Sequence, residues 1–166
     1  MCIRDSYIGY LNLVVDRIES LTQEVLDDWT TSFRDEFVAN TSDSSSGSFD
    51  IFINRYIEFF ERRLRSSKVG IPAGIFTSPI TFPDQIESLF NPTLSRALLL
   101  EALDNAENIY TGLETSTVSL SSLLVNIERQ DIDTEILTAF AEARTQIETL
   151  NESLSCLLYT SPSPRD

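Results

Sequence analysis

Between Tyr7 and Val38 the apolar residues Leu11, Val14, Ile18, Leu21, Val25, Trp29, Phe33 and Phe37 recur three or four positions apart. That spacing gathers them on one stripe of a helix about 30 residues and about 45 Å long. Asp16, Glu19, Glu24, Asp27, Arg34 and Asp35 fall off the stripe. The signal stops at Asn40, and residues 41–48 are Thr, Ser, Asp and Gly only, a loop composition. Ser48 is placed to cap a second helix running from Phe49 to about Ser66. Phe49, Phe52, Ile53, Tyr56, Ile57, Phe59, Phe60 and Leu64 give that helix an apolar surface wide enough for more than one neighbour. Arg62, Arg63, Arg65 and Lys68 complement the negative end of its dipole.

From Lys68 to Pro92 regular periodicity is lost. Gly70, Pro72, Gly74, Pro79, Pro83 and Pro92 are spaced too closely for a helix to run through. Pro83 to Phe90 is one candidate short helix. Thr93 reads as the cap of a third long helix ending near Thr111, before Gly112, with Leu94, Ala97, Leu98, Leu103, Ala106, Ile109 and Tyr110 facing inward. A shorter helix, about Ser119 to Ile127, follows. The last begins near Asp131 and carries the stripe Ile132, Ile136, Phe140, Ala143, Ile147, Leu150 and Leu154. No β alternation competes and no repeat is visible. About four main helices plus short ones predict an all-α, up-and-down bundle.

Composition narrows the partners. The net charge of −14 disfavours nucleic acid and anionic membrane surfaces. The apolar cluster Ala97-Leu98-Leu99-Leu100 is cut by Arg96 and Glu101, far short of a transmembrane segment. The chain has no histidine, the commonest zinc ligand and general base.

The two ends stand apart. Met1-Cys2-Ile3-Arg4-Asp5 back-translates to the end sequence recognised by a library-preparation transposase. Cys156-Leu157-Leu158-Tyr159-Thr160-Ser161 back-translates to its reverse complement, and Pro162 to Asp166 fit the primer tail that follows. Residues 1–6 and 156–166 are therefore expected to be adapter-derived, and residues 7–155 to be the natural fragment. Both cysteines, Cys2 and Cys156, lie in these ends, so a disulfide between them is not proposed. Each end carries one Arg and one Asp, so the charge balance is unchanged. On this expectation the natural chain begins upstream of Tyr7, and an apolar face meant for that missing part makes residues 7–155 less soluble than their charge suggests.

Three stretches carry a family resemblance. These are Phe52 to Arg65 (Tyr56, Glu61 and Arg65 within it), the turn Lys68-Val69-Gly70-Ile71-Pro72-Ala73-Gly74, and Leu94-Ser95-Arg96-Ala97-Leu98-Leu99-Leu100-Glu101-Ala102-Leu103. Together they resemble the downstream half of the imelysin family. The resemblance implies the second half of an all-helical, two-bundle fold. It also implies a bacterial cell-envelope setting, periplasmic or as an outer-membrane lipoprotein, and a link to iron or haem supply. The founding member was described as a metallopeptidase. The family's metal signature, Gly-x-His-x-x-Glu, lies in the upstream half, so no catalytic residue and no metal ligand carries over to this chain. Iron or another divalent metal would belong to the full-length protein. The implied partners are the missing upstream half and envelope components of iron or haem uptake.

Among the residues themselves, Lys68, Gly70, Pro72 and Gly74 form the candidate binding site. One reading is a turn that shapes a cleft, with Lys68 and backbone amides toward an anion or a partner. The other is a helix-ending turn in which the glycines supply positive φ and the proline stiffens the loop. Glu58 and Glu61 share a helix face and could help hold a hard cation, but neighbouring Arg62 and Arg65 favour a surface ion-pair face. Asp27 and Asp28 read the same way, and Asp131 and Asp133 suit the start of the last helix. Three functions stay open: a binding or accessory module in iron or haem uptake, a metallopeptidase whose metal half lies upstream, and a structural helical module.

Overall fold

A computed structural model describes residues 3–76, 80–113 and 118–160. The chain is an all-helical bundle protein, with no strand among the described residues. It divides into two compact units, residues 1–54 and 55–166.

The first unit holds α1 (Ile3–Asp28), a π-helical turn (Trp29–Phe33), α2 (Arg34–Ala39) and most of α3 (Ser48–Glu58). The three segments up to Ala39 follow one another directly along the chain. The π turn explains how the stripe stays straight. Successive steps of four residues creep forward by about 40° around an α-helix. A π turn takes in more residues, so the same step creeps back. Trp29, Phe33 and Phe37, each four apart, thus form a cluster with centroids 5.8–6.0 Å apart. Between α2 and α3 the Asn40 side-chain amide donates to the Ser46 carbonyl, and the Ser48 amide to the Asn40 carbonyl, which closes the serine-rich loop.

The second unit continues from the end of α3 into a long π-helix (Phe59–Gly70). Two 3₁₀ turns (Pro83–Gln85 and Pro92–Leu94) follow, then α4 (Ser95–Thr111), α5 (Leu120–Asn126), α6 (Gln130–Glu148) and α7 (Leu154–Thr160). α4 is central: it packs against α6, α5 and the long π-helix. The core is Leu64, Ile86, Leu99, Leu103, Ala106, Tyr110, Phe140 and Leu154, with Tyr56 and Phe60 packed on it. Phe60 meets Phe140 edge-on at 6.0 Å, an arrangement the ring quadrupoles favour.

Several boundaries differ from the sequence expectation, each for a local reason. The second helix does not end near Ser66. It continues to Gly70 in the π form, where the Ile71 amide reaches five residues back to the Ser66 carbonyl. Ser48 is the first helical residue rather than the cap: the Gly47 carbonyl accepts from Ile51 instead. Thr93 sits in a 3₁₀ turn with its hydroxyl on Asn91, and α4 starts at Ser95. The buried face of α4 is Ser95, Leu99, Leu103, Ala106 and Tyr110. Leu94, Ala97, Leu98 and Ile109, expected inside, are exposed. The expected Pro83–Phe90 helix is only the 3₁₀ turn, followed by Ser88 at φ 63°. The stripe expected to run from Ile132 to Leu154 is broken: α6 stops at Glu148, and Leu154 opens α7 after a tight link.

Ser95 organises that link. Its hydroxyl accepts from the Leu154 amide at 3.0 Å and lies 2.6 Å and 3.1 Å from the Pro92 and Glu152 carbonyls as a donor. The Arg96 guanidinium donates to the carbonyls of Leu150 and Glu148. The start of α4 thereby satisfies carbonyls that the end of α6 leaves unpaired.

Candidate functional site

The four residues singled out in the sequence lie together in one turn. Lys68 and Gly70 end the long π-helix, and residues 71–76 turn away from it. The amides of Ile71, Ala73, Gly74 and Ile75 donate to the carbonyls of Ser66, Val69, Ile71 and Gly70 in turn. Four amides that could have faced an anion are therefore used inside the turn. The Lys68 ammonium forms an ion pair with the Glu87 carboxylate, which closes the base of the 69–86 excursion.

Each small or rigid residue has a steric reason. Gly74 sits at φ 71°, and a Cβ there would collide with the Ile80 carbonyl oxygen. At Gly70 a Cβ would come within 2.6 Å of the Phe76 ring edge. Pro72 is fully buried, and its carbonyl accepts from the Phe82 amide at 2.7 Å. Ile86 is drawn into the core beneath. The excursion is thus tied down at three levels: an ion pair, a backbone hydrogen bond and a buried side chain. Ile75, Phe76 and Ile80 are exposed on it, alongside the polar Asp84 and Gln85. Thr77 to Pro79 lie outside the described residues.

The paired carboxylates on the second helix are spent on neighbours. Glu58 accepts from Arg55 and Arg62, and these hydrogen bonds hold its carboxyl below the ordinary value. Glu61 accepts twice from Arg65. Both glutamates lie on a surface ion-pair face. Asp27 accepts from Gln23, and Asp131 from Arg129. Among the described residues no group of three or more Asp, Glu, His or Cys could hold a metal ion. The described residues therefore do not fit the metal that the resemblance implies for the full-length protein.

Sequence reasoning missed the polar pairs that lock the second unit. Tyr110 donates to the buried Asp133 carboxylate at 2.7 Å. Burial, and then this hydrogen bond, push the Tyr110 phenol well above its ordinary value. Arg144 of α6 pairs with both Asp104 and Glu107 of α4. Tyr56 donates to the Ala106 carbonyl, and burial raises its phenol too. The sequence signals for these were Tyr56 and Tyr110, each placed on an apolar helix face. The partners are 23 to 50 residues away in the chain, beyond any spacing rule.

In the first unit an open cleft of about 370 Å³ lies between the end of α2 and the start of α3. Phe37, Val38, Phe49 and Phe52 line it together with Asn40, Thr41, Ser42 and Ser48.

Residues 3–164 match the family model described as Imelysin. No curated protein and no solved structure gives a significant match.

Proposed function

The chain belongs to the imelysin family, and from that premise we propose that it is the downstream half of a cell-envelope protein of iron or haem supply, acting as a binding or accessory module. One observation carries the reading. A chain matching the family over residues 3–164 contains no histidine, while the family's metal signature requires one. The chemistry of that signature then belongs to polypeptide upstream, and this half contributes shape. The turn at Lys68, Gly70, Pro72 and Gly74 suits such a role. It is stiff, its charge is neutralised by Glu87, and the apolar Ile75, Phe76 and Ile80 are exposed beside it. That combination fits the wall of a cleft better than an anion cradle. Membership of the family supports an envelope setting, and periplasm or outer-membrane lipoprotein is the compartment proposed within it. No described helix is long and apolar enough to cross a membrane.

Longer reads through the source DNA test the reading. The expected frame continues upstream of Tyr7 and encodes Gly-x-His-x-x-Glu together with an export signal. A complete gene that starts at Met1 and lacks that motif would overturn it. The metallopeptidase alternative shares the upstream motif and differs in chemistry, so it is separated by cleavage assays on the whole protein.

A further inference from the structure

We propose that the apolar stripe along α1, the π turn and α2 is a docking face for a single amphipathic helix whose own apolar stripe is edged by lysine and arginine. The proposal is independent of the iron reading. Three observations support it.

The stripe is open. Leu21, Val25, Trp29 and Phe33 are 42–70% exposed, although their spacing is that of a buried face. Exposed apolar surface running the length of a helix is rare on a free monomer and marks an interaction site. The π turn adds to this, since it keeps the three aromatic rings on the same line as the aliphatic residues before them. The line ends in the cleft beside α3, to which Phe37 belongs.

The occupant is narrowed by charge. Tyr7 to Ala39 contains seven carboxylates and two arginines. Arg17 is taken by Glu24 and Arg34 by Asp35. Asp16, Glu19, Asp27, Asp28 and Glu36 have no ion-pair partner among the described residues. A second copy of this face would set the same surplus against itself, and an anionic bilayer would be repelled. A helix with basic edges neutralises the surplus while covering the stripe.

Trp29 is the only tryptophan of the chain and sits on the stripe, so its fluorescence reads the proposed contact directly. The 166-residue chain is titrated with a tryptophan-free helical peptide of leucine and lysine at amphipathic spacing, and with the same peptide carrying glutamate for lysine. Expected are a saturable blue shift with the lysine peptide only, and loss of affinity as salt is raised. Val25→Glu, at an exposed position and checked for unchanged helicity, should weaken binding about tenfold or more. The pair Asp27→Lys and Asp28→Lys should weaken it while leaving the apolar stripe intact. The proposal fails if both peptides bind alike, if neither shifts Trp29, if neutral phosphatidylcholine vesicles shift it and the lysine peptide does not, or if sedimentation finds a dimer with Trp29 already buried.

Discussion

At Gly74 and Lys68 the sequence singled out one turn for two different reasons, and the physics separates them. Gly74 holds a backbone conformation that L side chains rarely adopt, against a carbonyl that leaves no room. Gly74→Ala is therefore expected to cost about 1–3 kcal/mol. Lys68→Ala removes an ion pair whose carboxylate partner is half exposed, and should cost no more than about 1 kcal/mol. Urea unfolding of both variants checks the order; a larger loss for Lys68→Ala would contradict it. Tyr110 and Asp133 give a sharper test. The folded-state phenol is raised, so its contribution to stability is complete below the ordinary tyrosine value of about 10 and is lost as pH climbs past it. Tyr110→Phe leaves Asp133 buried without its donor and should cost about 1–3 kcal/mol at neutral pH. Comparing urea midpoints at about pH 8 and about pH 11 should show a steeper alkaline loss in the parent chain than in Tyr110→Phe.

At the scale of elements, α4 and α6 were legible because a three-and-four periodicity survives wherever one face is buried. The π segments were not. A spacing of four is compatible with an α or a π turn, and only the backbone bonds decide between them. The true face of α4 was misplaced in its first turn because Leu94, Ala97 and Leu98 are as apolar as Leu99. What sets the register is Ser95, a polar residue buried for its hydrogen bonds. The break before Leu154 was hidden for the same reason: Leu150 and Leu154 keep the spacing while the chain turns. The candidate turn was legible as a turn from Gly70, Pro72 and Gly74, whereas the Glu87 partner of Lys68 was not, because it lies 19 residues on. α5 has an unusual start, a capping box of Ser119 and Ser122 that each accept the other's amide. With seven residues it depends on that cap, so Ser119→Ala is expected to cost about 1 kcal/mol, read from urea unfolding. An unchanged midpoint would mean that packing alone holds the helix.

For the whole molecule, charge and exposed apolar surface oppose one another. The net charge of −14 keeps copies apart, while the first unit carries a long open stripe. Near the isoelectric point, about pH 4.2, the repulsion disappears, and self-association should rise steeply. An apolar dye should bind strongly at neutral pH and weakly to Val25→Glu, measured by fluorescence. Weak binding by the parent chain would show that the stripe is covered in solution. The same surface suits a polypeptide that works in company, in keeping with the accessory role proposed above. The most direct test of that role is peptide hydrolysis by the full-length protein, measured with and without chelator alongside its metal and haem content. Bound iron or haem with no chelator-sensitive cleavage is the expected result; bound zinc with cleavage abolished by chelator would contradict it.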